Sequence, residues 1–227
     1  MFDAKRLLDQ FLGSQGAGGA PLGNLGGIGG GALAGGLAGI LLGTKQGRKI
    51  GGTVLKVGGM AAVGALAYAA YRNWQAGQQP AAAGSPVLPP PQGTPFNPSG
   101  EAAQQSLGRN LLRAMIAAAK ADGHIDAKEQ SAIFARMDQL ALDRDDKAFV
   151  MDELRAPLDI DAVAAAARGP EEAAEIYAAS LLAIDLDHAA ERGYLSMLAA
   201  RLGLDDALVA HLHAAVENAA VKAPAGS

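Results

Sequence analysis

KADGHIDAKEQSAIFARMDQL, residues 120–140, closes one helical pattern and opens another within a few positions. Upstream of it Leu107, Leu111 and Met115 recur every fourth residue, and downstream Ile133, Met137 and Leu140 resume the same period. Between the two runs Gly123 suits the left-handed conformation that ends a helix. Asp126 suits the cap of the next helix, and Glu129 completes a capping box three residues on. The stretch therefore reads as helix, tight turn, helix. An echo follows in AIDLDHAAERGYLSMLAARLGL, residues 183–204. Aligning Glu129 with Glu191 pairs Ile133 with Leu195, Leu140 with Leu202 and Leu142 with Leu204, which points to two related helical hairpins packed together.

Further helices fill the second half of the chain. Phe149, Val150 and Leu154 share a face, and Pro157 breaks the run. Ile160, Val163 and Ala167 mark a short helix stopped by Gly169. Pro170 then suits a first helical position, with Glu171 and Glu172 in the favourable first turn of a helix carrying Tyr177, Leu181 and Ile184. Leu195, Leu198 and Leu202 form another helix, closed by Gly203, and Leu208, Leu212 and Val216 form the last. No stretch alternates with period two. The expected fold class is all-α, a bundle of about seven helices over residues 101–222.

Ala121, Asp122, Gly123, Ile125 and Glu129 spell the pattern ADG-x-[IL]-x-x-x-E between two helices. In this the sequence resembles the tellurite-resistance TerB-like family, whose domain is all-helical. The second hairpin keeps Asp185, Asp187 and Glu191 but lacks the glycine. The glycine-rich apolar N-terminus and AERGYLSMLAARLGL, residues 190–204, are further similar to the YebE-type inner-membrane branch. The resemblance covers residues 105–218 well and 22–76 weakly. It implies a TerB-like bundle anchored to a membrane, with a role in interaction or stress response, and it carries no mechanism.

The first hundred residues are different material. They hold 24 of the 30 glycines and two acids, Asp3 and Asp9, against seven Lys or Arg, a formal +5; residues 101–227 carry 21 acids and 12 bases, a formal −9. Such asymmetry suggests one half that meets an anionic surface and one that stays in water. Residues 1–21 open with FDAKRLLDQFL, which gathers Phe2, Leu7, Leu8, Phe11 and Leu12 near one side of a helix. That helix fits a membrane surface, or docking on another part of a protein.

Residues 22–43 contain no charge and as a helix span about 33 Å, close to the ~30 Å of a hydrocarbon core. Gly23, Gly27, Gly31, Gly35, Gly39 and Gly43 fall at every fourth position, a glycine zipper on which another apolar helix can pack. After a basic break at residues 44–49, a second apolar stretch runs from Ile50 to Tyr71. Tyr68, Tyr71 and Trp74, with Arg72 beside them, resemble the aromatic and basic belt of a bilayer surface. Residues 22–76 are thus expected to form a membrane-associated helical hairpin that also permits homo-oligomerisation. Residues 77–100 hold most of the prolines and no charge, which indicates a disordered, extended linker.

The chain has no cysteine, which excludes disulfides and thiolate chemistry. With 4% aromatic residues and an acidic second half, nucleic-acid binding is not expected. The acids Asp122, Asp126, Glu129, Asp185, Asp187 and Glu191 admit two readings. In the first turn, capping accounts for Asp126 and Glu129 around Gly123, and weak binding of a divalent cation by the acids of the two turns is the alternative. Asp122, Gly123, Ile125 and Glu129 reproduce the second half of an EF-hand loop, but Ala118 and Lys120 stand where two oxygen ligands belong. His211 and His213 face different sides of a helix, and His124 and His188 sit in corresponding loops. No nucleophile grouping, phosphate loop or zinc spacing is present. The sequence points to a non-enzymatic module without a cofactor, set in a bacterial inner membrane with its helical domain on the cytoplasmic side and an unnamed protein partner. A divalent-cation sensor is the second reading.

Overall fold

The computed structural model describes residues 3–13, 59–82, 87–121, 144–184, 186 and 189–221. Among these lie eight helices: α1 (Ala4–Gly13), α2 (Gly59–Gln75), α3 (Glu101–Ala119), α4 (Arg144–Arg155), α5 (Ile160–Ala165), α6 (Pro170–Leu182), α7 (Ala189–Leu202) and α8 (Asp206–Val221). Their ends follow local chemistry. The Asp3 carboxylate accepts the Arg6 backbone N–H at 2.8 Å and caps α1. Asp159 does the same for α5 through the Ala162 N–H at 2.9 Å. α6 starts on Pro170 with Glu171 and Glu172 in its first turn, where the missing N–H of proline costs nothing and the acids complement the helix dipole. Gly77 and Gly203, at φ 61° and 65°, stop α2 and α7 in the left-handed conformation that a side chain disfavours.

α6 is the centre of the bundle. Every residue from Glu172 to Leu182 is buried, and α3, α2, α8, α7 and α5 pack around it. α2 is its most telling neighbour. Met60, Val63, Leu66, Ala67, Ala70 and Tyr71 join one core cluster with Ile176, Tyr177 and Leu181 of α6 and Leu212 and Val216 of α8. α1 closes the same core from the other side, with Leu7 and Leu8 fully buried. Its backbone lies so close to α3 that a Cβ on Gly108 would stand 3.1 Å from the Ala4 carbonyl carbon. Polar ties fix it there. Ala4 N–H donates to the Gln105 side chain at 2.6 Å, Arg6 pairs with the buried Asp146 at 2.6 Å, and Asp9 accepts the Met60 N–H at 3.0 Å, joining α1 to the start of α2.

This packing corrects the membrane reading. The described part of the second apolar stretch is α2, and its apolar faces meet α6, α8 and α1. No helix among the described residues is long and apolar enough to cross a membrane. The proposed belt of Tyr68, Tyr71 and Trp74 is an internal aromatic cluster. Tyr68 and Tyr71 each lie 5.6 Å from Phe96, and Tyr71 lies 5.5 Å from Trp74. The physical reason for the error is plain. A helix that is apolar nearly all round belongs either in lipid or in a protein core, and its own sequence does not distinguish them.

The zipper positions Gly23, Gly27, Gly31, Gly35, Gly39 and Gly43 lie outside the described residues, so self-association through such a helix has no structural support. The expectations of an inner-membrane location, a membrane-associated hairpin and a membrane partner are corrected on a different ground: no helix among the described residues is long and apolar enough to cross a membrane. The amphipathic α1 takes the second of its two readings and docks on α3. The Pro-rich segment does not hold the halves apart. Phe96 is 6% exposed between the two tyrosines, and Asn97 donates its backbone N–H to the Thr94 carbonyl in a tight turn that brings the chain back to α3.

Candidate functional site

Of the six acids named as candidate cation ligands, Asp122, Asp126, Glu129, Asp185 and Asp187 lie outside the described residues. Glu191 is in the first turn of α7, 3% exposed in the core. Among the described residues no three His, Asp or Glu side chains converge on a point that could hold a metal. The divalent-cation sensor is accordingly without support.

Several titratable groups of the core have their ionisation opposed by burial. The Tyr177 hydroxyl lies 3.0 Å from His213 Nε2, and burial pushes the Tyr177 pKa up to about 12. Burial lowers the His213 pKa, against the pull of the nearby Glu217 carboxylate. This pair has no nucleophile to activate, since a phenol so perturbed keeps its proton. Tyr194 is likewise pushed up to about 12 by burial. Ser180 is fully buried and donates its hydroxyl to the Ile176 carbonyl at 3.0 Å within α6. Glu175 is fully buried too, and neither carboxyl oxygen has a hydrogen-bond partner among the described residues. Burial, reinforced by the neighbouring Glu172 charge, raises its pKa well above the ordinary carboxyl value and so favours the protonated form.

Two surface clefts are lined by described residues. The smaller, about 250 Å³, lies between Pro95, Pro98, Leu107 and the start of α6. Its charges are already committed to one another. Arg168 bonds Glu172 at 3.2 Å and the Ser106 hydroxyl at 3.0 Å, and Asn110 donates to Glu172 at 3.1 Å.

The larger, about 340 Å³, lies between the C-terminal half of α2, the extended segment after it and the outer side of α8. Local sequence builds it step by step. Gly77 turns the chain out of α2, with the Gln78 N–H bonded to the Asn73 carbonyl at 3.0 Å, and Pro80 disfavours a helical conformation at Gln79 before it. The segment is clamped to α8 by the Asn218 amide, which donates to the Ala81 carbonyl at 2.6 Å. Ala69, Ala70 and Ala215 floor the cleft, and Val87 and Leu88, 40% and 54% exposed, form an apolar rim. Arg72, Asn73, Gln78, Gln79, His211 and Asn218 supply its polar groups.

Among the described residues no acid lines the larger cleft, although the second half of the chain is strongly acidic. Arg72 is the one permanent cation among those lining residues, and its guanidinium lies 5.9 Å from the Tyr68 ring centroid. His211 is 5% exposed, and its Nδ1 has no partner among the described residues. Sequence reasoning missed this site. Its polar residues come from three separated segments, and the signal that could have found it was Phe96, an aromatic inside an apparent linker, showing that the segment folds back.

Comparison with known proteins follows the same outline. A family model described as "Protein of unknown function (DUF533)" matches residues 27–216. A protein of Yersinia enterocolitica, described as an uncharacterized protein in the ampR 5′ region, is 37% identical over 90 residues. Those residues are 40% of this chain and 65% of that protein, so the chain spans less than two thirds of that relative's length. No solved structure matches the chain. The resemblance to TerB-like helical domains stands beside this match, whereas the YebE-type inner-membrane branch does not, because none of the described helices is suited to cross a membrane.

Proposed function

The chain belongs to the DUF533 family, and from that premise we propose that it is a non-enzymatic, all-helical binding module whose ligand is received in the cleft between α2 and α8. The observation that carries this reading is the lining of that cleft, which combines an apolar floor, several carboxamides, one guanidinium and a buried imidazole with no acid. A few convergent polar groups on an apolar concavity are what small-ligand sites generally share, and about 340 Å³ falls at the small end of their range of roughly 300–1,000 Å³. The Tyr177 and His213 pair and the buried Glu175 support the non-catalytic part, since both act within the core. A fragment screen by heteronuclear NMR on the full chain tests the proposal. Hits should cluster their shift changes on Arg72, His211 and Asn218. A screen whose hits leave those resonances unmoved would contradict it, as would turnover of a chromogenic ester that disappears in His213→Ala.

A further inference from the structure

We propose that this cleft is a receptor for a small monocarboxylate with an apolar tail. The inference rests on the reading of the cleft as a ligand site and adds the chemistry of what it takes. Its first support is the state of Arg72. Arg6, Arg113, Arg168 and Arg201 each hold a carboxylate, on Asp146, Glu153, Glu172 and Asp161 respectively. Arg72 has no acidic partner among the described residues, a state it shares with Arg144, Arg155 and Arg192, and of these it is Arg72 that lines the cleft. The guanidinium lies 5.9 Å from the Tyr68 ring centroid and Arg72 is exposed where it lines the cleft, so its N–H fork, which can bind a carboxylate in two places, is within reach of a ligand there.

The second support is independent of the first. His211 is nine-tenths buried against the opposite wall of the cleft, yet no hydrogen bond fixes its Nδ1. A ring so placed can turn a nitrogen toward a ligand without losing a bond it already makes, so an acceptor entering the cleft would gain a second donor opposite Arg72. Asn73, Gln78 and Gln79 add amide donors, whereas a cationic ligand would find no carboxylate at all. Glu217, adjacent to Asn218 in the chain, acts on His213 and is not part of the lining. The apolar floor of Ala69, Ala70 and Ala215 and the rim of Val87 and Leu88 then suit a short hydrocarbon tail.

The test compares hexanoate with hexanamide, which share a tail and differ in charge, by NMR titration of the full labelled chain. Hexanoate is expected to shift His211 and Asn218 and to bind roughly tenfold or more tighter than hexanamide, as a charge-assisted contact requires. Arg72→Gln, a change at an exposed position, should remove that preference and leave the weak hexanamide response in place. Equal affinities of the two compounds, or a hexanoate preference that survives in Arg72→Gln, would overturn the carboxylate assignment while the cleft remained a ligand site. Absence of any shift at the cleft with either compound would overturn both.

Discussion

Gly64 and Glu175 meet at the closest approach of α2 to α6, where a Cβ on Gly64 would stand 3.1 Å from Glu175 Oε1 and 2.6 Å from the Phe96 carbonyl oxygen. Three segments distant in sequence converge at that point, and only the absence of a side chain lets them do so. Gly64→Ala must therefore push backbone against backbone, because the nearest atom belongs to the main chain of the returning segment. The expected cost is about 1–3 kcal/mol, with Phe96 loosened from Tyr68 and Tyr71. Gly193→Ala is the matched control. It lies within α7 with nothing within 4 Å of its added methyl, and should stabilise by up to about 0.5–1 kcal/mol. Thermal unfolding of the two variants reads both effects.

The buried acid at this contact makes stability depend on pH in a particular direction. Below the ordinary value of 4.5 both folded and unfolded chains carry the Glu175 proton, and the group contributes nothing to the balance. Above it the unfolded chain releases the proton first, so stability is lost as pH rises toward the raised folded-state value. Denaturant unfolding measured at rising pH should show this decline in the natural chain. Glu175→Gln removes the titration and should flatten that part of the profile. A profile unchanged by the substitution would show that Glu175 ionises in the fold without penalty.

His213 acts at the other end of the scale. Its folded-state pKa is lowered from 6.5 by burial, so the unfolded chain takes up a proton first as pH falls. The stability linked to its neutral ring is present above that value and is lost as pH drops below it. The imidazole resonances of His213, followed by NMR, should titrate below those of an unfolded control. Tyr177→Phe should cost about 0.5–1.5 kcal/mol through the lost hydrogen bond.

Much of the second half of this fold was legible because its helices announce their ends. Pro170 with its two glutamates and Gly203 after Leu202 are local signals, and α6 begins and α7 ends at them. α2 was read as helical and apolar, but its surroundings were not legible. Ala, Gly and Tyr at its positions satisfy lipid or a tight protein contact equally well, and what decides is Phe96 and α6, distant in sequence. The cleft was hidden for the same reason. Arg72 reads as a belt residue and His211 as one of two helical histidines, and only the docking of Ala81 on Asn218 of α8, with Val87 and Leu88 at the rim, brings them to one concavity. The docking of α1 was half visible. Its apolar face predicted burial, while the partner depended on Gly108, whose missing side chain is informative only once the two helices are side by side.

α2 shares one core with α6, and amide hydrogen exchange on the full chain is the measurement that decides it. Helices in a single cooperative core exchange through the same opening, whereas an independently anchored helix does not. The account predicts that amides from Val63 to Tyr71 exchange as slowly as those from Ala174 to Leu181, and that both sets speed up together in Gly64→Ala. Fast exchange across Val63 to Tyr71 beside a fully protected α6 would contradict it.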